Sequence, residues 1–170
     1  SSILMTRPIH FDKNISTFST NGKDITVNPD YSENELTISQ NVFVLAHEVM
    51  HIMLKHPWRR GWRDKDKFNE ACDYVVNYEL VKAKVGTPPN NILYDEDLYK
   101  RSNGIAEKLY DLLPDKIRQL PGNKGGALDK IEDAPGDEAT KQKDQMNIDI
   151  ETQRSINIAK AVGWMPGDLE

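Results

Sequence analysis

Ala46-His47-Glu48-Val49-Met50-His51 sits inside an apolar run, led in by Val42-Phe43-Val44-Leu45 and followed by Ile52-Met53-Leu54. No Gly or Pro interrupts it, so it reads as a helix buried on most sides. His47 and His51 are four residues apart and project from the same face. Two imidazoles at that spacing can grip one Zn²⁺, with Glu48 beside them as general base. Polar groups on a buried helix are costly unless they have partners, and a metal is the most economical partner for this set.

The 170 residues suffice for one domain with a real core. Hydrophobic content of 38% with 29% charged residues describes a globular but polar chain with a disordered part. A net charge of −5 argues against a general binder of nucleic acid or anionic membrane. No apolar stretch reaches membrane-spanning length. The single cysteine, Cys72, excludes an internal disulfide framework and suits a cytoplasmic location. The chain begins Ser1-Ser2 without a visible signal peptide, so a native start is expected upstream.

Outward from the histidines, Ile15–Thr20 and Asp24–Asn28 alternate around Asn21-Gly22 and predict a β-hairpin. Ser32-x-x-Glu35 has the form of a capping box, while Leu36-Thr37-Ile38 reads equally as a short strand. The histidine helix should end near Lys55-His56, before Pro57. Trp58-Arg59-Arg60-Gly61-Trp62-Arg63 is a basic, aromatic loop, expected to pack one Trp and leave its arginines solvated. A second helix follows, roughly Asp66 to Lys84. Its apolar stripe is Phe68, Ala71, Cys72, Val75 and Val76; its other face carries Glu70, Asp73 and Asn77. Ser102 to Leu113 reads as a third helix with Ile105, Leu109 and Leu112 inward. The expected organisation is a domain over 1–121, a disordered linker or mobile insertion over 122–147, and a C-terminal helix packing back within 148–170. That helix covers 149–162, with Ile156, Ala159 and Val162 inward.

A hydrolytic zinc site needs three protein ligands and one open position. His47 and His51 supply two; Asp73, Glu70 and His56 are the candidates for the third. His56 lies five residues past His51, off the ligand face, and lacks the Gly-bearing spacing of metzincins. It is expected to hold structure or to stand behind a ligand. Asn69-Glu70-Ala71-Cys72-Asp73 resembles the Asn-Glu-x-x-x-Asp stretch of thermolysin-like enzymes, one residue shorter. That spacing leaves Glu70 and Asp73 both open. Asn77, one turn beyond Asp73, is expected to orient that carboxylate or a histidine. Tyr74, Tyr78 and His56 are candidates for stabilising an oxyanion. Cys72 points off the acidic face and reads as a small core residue.

A wider set of residues resembles a known family. His47-Glu48-x-x-His51-x-x-x-x-His56, Arg59-Arg60 and Ala71-x-Asp73-Tyr74-Val75-Val76-Asn77 are similar to the "putative metallopeptidase domain" found N-terminal to von Willebrand factor A-like domains in bacterial and phage proteins. Weaker similarity continues through Ile92-Leu93-Tyr94, Glu107-x-x-Tyr110-x-x-Leu113 and Ala159-Lys160-Ala161-x-Gly163-x-x-Pro166. The resemblance implies a His47, His51, Asp73 metal set, with Glu70 ranked second, and zinc-dependent hydrolysis of a peptide or protein substrate. It also implies a von Willebrand factor A-like partner domain, which is not among these 170 residues. The expected fold is α+β and zincin-like: a small, mostly antiparallel sheet packed on the His-Glu-x-x-His helix, plus further helices. The alternative is a non-catalytic zinc-binding adaptor on the same fold. A third reading, a nucleic-acid-associated protein using the Trp58–Arg63 loop, is disfavoured by the net charge.

Overall fold

The fold is that of a computed structural model, which describes residues 7–115 and 129–161. Four strands of three residues each, β1 (Ile9–Phe11), β2 (Phe18–Thr20), β3 (Ile25–Val27) and β4 (Asp129–Ile131), form one sheet in the order β1-β3-β2-β4. The predicted hairpin is present: β2 and β3 are antiparallel, with Phe18 opposite Val27 and Thr20 opposite Ile25. In its turn, Asn21 Oδ1 accepts from the backbone N–H groups of Lys23 and Asp24, both at 2.9 Å. Gly22 has φ +89°, and a Cβ there would lie 2.2 Å from the Trp58 ring. The turn therefore needs glycine both for its backbone and for the indole seated against it.

The sheet is mixed, not mostly antiparallel. β1 pairs with β3 and β4 with β2, and both pairings are parallel. The hairpin announces its direction through a local turn signal. The outer strands pair with partners distant in sequence, where no such signal exists.

Helices follow as α1 (Pro29–Asn34), α2 (Ile38–Met53), a 3₁₀ turn (His56–Trp58), α3 (Lys65–Lys82), α4 (Glu96–Ser102), α5 (Ala106–Leu112) and α6 (Glu138–Ala161). The capping box that starts α2 is Thr37 with Gln40, not Ser32 with Glu35. Thr37 Oγ1 accepts from the Gln40 N–H at 3.2 Å, and Gln40 Oε1 accepts from the Thr37 N–H at 2.9 Å. Lys55, at φ +59°, turns the chain out of α2 ahead of Pro57. Asp64 caps α3 through the Lys67 N–H. Helix α4, which ends at Ser102, was not read from the sequence. The predicted third helix is present as α5 but starts at Ala106, not Ser102, because Asn103 and Gly104 both take positive φ. Of its three predicted inward residues, Leu109 is fully buried, whereas Ile105 and Leu112 are exposed.

The 122–147 stretch is not a linker where it is described: it carries β4 and the first ten residues of α6. Low hydrophobicity misled here, because α6 docks largely through charge. Lys23–Asp144, Lys55–Asp149 and Arg7–Glu151 ion pairs tie it to the domain at 3.0, 2.9 and 2.6 Å. Between them Ile148 enters the core. Ile156 is half-buried; the Ala159 side chain and Val162 lie outside the described residues.

Two apolar clusters flank α3. One joins Phe18, Ile25 and Val27 of the sheet to Phe43, Val44, Val49 and Ile52 of α2, and to Val76 and Leu80 of α3. The other joins Phe68, Ala71, Cys72 and Val75 to Ala106, Leu109, Tyr110 and Ile131. Cys72 is thus a core residue, as expected. Trp58 is the packed tryptophan of the basic loop, and Trp62 is exposed. Its arginines are paired rather than solvated. Arg59 bridges to Glu107 and the Leu54 carbonyl, Arg60 bridges to Asp133, and the Arg63 guanidinium stacks near Trp62, Phe68 and Tyr110. Among the described residues no helix is long and apolar enough to cross a membrane.

Candidate metal centre

Helix geometry brings the site together from two elements. His47 and His51 are one turn apart on α2, and Asp73 lies on α3, which packs alongside. All three are fully buried, and one donor atom from each falls within 4.8 Å of the others. His47 Nε2 and His51 Nε2 are 2.8 Å apart. Asp73 Oδ1 lies 3.4 Å from each of them. Neither oxygen of Asp73 accepts a hydrogen bond. An orphaned buried carboxylate facing two ring nitrogens is expensive without a cation.

This donor set fits zinc. Ligands held tetrahedrally at zinc's usual bond lengths stand about 3.3 Å apart. Both histidine–aspartate separations match that edge, and the histidine–histidine separation is somewhat shorter. The tautomer of His47 is also right. Asn77 Nδ2 donates to the Leu93 carbonyl at 2.9 Å, so its Oδ1 faces the ring and accepts from His47 Nδ1 at 2.9 Å. That leaves a lone pair on His47 Nε2, directed into the site. Asn77 therefore orients a histidine, one of its two expected roles.

His56 is not in the donor cluster. It stands behind His51, with the two Nδ1 atoms 2.8 Å apart, as the sequence reading expected. Burial, then the charges of His51, Arg59 and His47, hold its imidazole well below the usual histidine range. Glu70 also falls outside the cluster formed by the described residues. It is half-buried one turn before Asp73, and burial together with the Asp73 and Asp66 charges pushes its carboxyl up. Glu48, next to His47 on α2, is fully buried.

Of the oxyanion candidates, Tyr78 is stacked between Tyr94 and Tyr99 and His56 is committed to His51. Tyr74 is half-buried, its phenol pushed up by burial and then by the charges of Glu70, Asp95 and Asp73. The sequence reading missed the Leu93 carbonyl that fixes Asn77. A backbone acceptor from a loop leaves no residue-type signal.

No curated protein and no solved structure matches the chain. A family model does, and its description agrees with the resemblance carried by the His47–His56 and Ala71–Asn77 motifs. It spans residues 1–169 under the description "Putative metallopeptidase domain", and the chain belongs to that family.

Proposed function

We propose that this protein is a zinc-dependent peptidase with a zincin-like fold, in which His47, His51 and Asp73 hold the ion and Glu48 is the general base. The observation that carries the reading is the convergence of two imidazole Nε2 atoms and an undonated carboxylate at one buried point. A bound zinc ion supplies Lewis acidity, lowering the pKa of a water to roughly 7 and polarising the scissile carbonyl. Glu48 takes the proton of the attacking water on its carboxylate and returns it to the leaving amine. Asn77 keeps the His47 proton on Nδ1, so that Nε2 stays a ligand. Because His47, Glu48, His51 and Asp73 are all fully buried, a peptide reaches them only when part of their cover moves aside. A reducing cytoplasm suits the single buried thiol.

The same burial favours a second reading, a non-catalytic adaptor whose zinc is structural. One set of measurements separates the two. Metal analysis of the purified protein comes first, followed by cleavage of casein or a peptide library by wild type and Glu48→Gln. The peptidase reading expects zinc in both proteins and EDTA-sensitive cleavage by wild type alone. Equal, EDTA-insensitive cleavage by both refutes it, and zinc without any cleavage supports the adaptor. Asp73→Ala should lose zinc and Glu70→Ala should keep it; the reverse moves the third ligand to Glu70.

A further inference from the structure

Three imidazoles form a chain through the centre of the molecule. His47 Nε2 meets His51 Nε2, and His51 Nδ1 meets His56 Nδ1, both at 2.8 Å. Each contact needs one proton between two nitrogens, and Asn77 fixes where the count starts. With the His47 proton on Nδ1, His47 Nε2 only accepts. Without a metal, the proton between the two Nε2 atoms is therefore that of His51, and its Nδ1 is bare. His56 must then donate from Nδ1, which leaves its own Nε2 bare. That atom is buried and has no hydrogen-bond partner.

A metal on His51 Nε2 reverses this order. The ligand nitrogen must be bare, so the His51 proton belongs on Nδ1, and His56 Nδ1 must accept it. We infer that His56 is a positioning residue that sets which nitrogen of His51 carries the proton, donating to His51 Nδ1 in the metal-free protein and accepting from it when Nε2 holds a metal. The balance closes without any change of charge. His51 releases its Nε2 proton to solvent as the metal takes that nitrogen and gains one at Nδ1 from His56, and His56 takes one from solvent at Nε2. An imidazole can take either role at a single atom, whereas the carboxylate or carbonyl that more often stands behind a ligand histidine can only accept. The site can thus empty and refill without leaving two lone pairs opposed.

This inference rests on the metal reading but not on peptide cleavage. ¹⁵N spectra of the histidine rings in the full chain, recorded with EDTA and with zinc, test it directly. The expected result is a His51 proton that moves from Nε2 to Nδ1 and a His56 proton that moves from Nδ1 to Nε2. A His56 ring that keeps the same tautomer in both states overturns the inference. Zinc affinity by chelator competition gives a second arm. Asn places a polar atom where His56 Nδ1 stands and can donate or accept, so His56→Asn should bind zinc within about threefold of wild type. Gln reaches the Nε2 position instead, and Leu offers neither group, so His56→Gln and His56→Leu should lose about 10- to 100-fold. Leu equal to wild type, or Asn as weak as Leu, overturns the inference. A wild type that takes up no zinc overturns the metal reading and this one together, whereas zinc binding indifferent to His56 overturns this one alone.

Discussion

Replacing Asp73 by Asn should stabilise the metal-free protein and abolish its response to zinc. The Asp73 side chain is fully buried, and neither oxygen receives a hydrogen bond. A buried polar group left in that state costs about 1–3 kcal/mol, and more when charged. Asn removes the charge while keeping the shape of the side chain, which lies 3.4 Å from His47 Nε2. The variant should therefore gain about 1–3 kcal/mol in EDTA, or about 3–10 °C in Tm for a chain of this length. Zinc reverses the order. At a thousandfold excess over Kd, wild type gains about 4.1 kcal/mol, and a variant without the carboxylate ligand gains little. Scanning calorimetry of both proteins, in EDTA and in zinc, should show the two Tm values crossing. A variant less stable than wild type in EDTA, or an equal zinc shift in both, would refute the argument that Asp73 is held there for a cation.

Asn77→Leu removes the acceptor for His47 Nδ1, and zinc affinity by chelator competition should fall about 10- to 100-fold. Gly86 has φ +58°, and a Cβ there would stand 2.5 Å from the Ser39 carbonyl oxygen and 2.8 Å from the Phe43 nitrogen. Both are α2 backbone and cannot swing away, so Gly86→Ala should cost about 2–5 kcal/mol in urea unfolding, from backbone strain and overpacking together. Asp133 is held below the ordinary aspartate range, first by its hydrogen bond from Arg60. A depressed folded pKa gives stability that is present above the unfolded value of about 3.9 and is lost as pH falls through the folded one. Asp133→Asn should flatten the Tm profile in that acidic window by no more than about 1 kcal/mol, because the carboxylate is half-exposed.

What the sequence made legible was whatever repeats locally. His47 and His51 share a face because of the helical period, and the apolar residues around them predicted their burial. Asn21-Gly22 predicted the hairpin for the same kind of reason: the turn chemistry is contained in four residues. The outer strands were not legible, since Ile9-His10-Phe11 and Asp129-Lys130-Ile131 are too short to show alternation and pair with distant partners. The polar stretch from Glu138 looked unable to pay for order, yet it folds as α6 through ion pairs to Lys23, Lys55 and Arg7, which only the tertiary structure supplies. On α3, spacing alone left Glu70 and Asp73 open. Packing separates them: Asp73 faces the imidazoles in full burial, and Glu70, one turn earlier, stays half-exposed.

The histidine helix carries two loads that ordinarily conflict. Phe43, Val44 and Ile52 are as deeply buried as His47, Glu48 and His51 on the same sixteen residues. Apolar residues at the three polar positions would give a more stable helix, because buried polar groups return at best what their desolvation costs. The fold carries them because the apolar clusters on either side of α3 do not depend on them, and because each ring has a partner at its far nitrogen. That arrangement holds the two rings in place before any ion arrives, so that binding moves protons and not side chains. On the peptidase reading proposed above, it also limits how a substrate can enter. A shift of α2 or α3 would break the apolar packing and the Asn77 and His56 contacts together, so opening must come from elements other than these two.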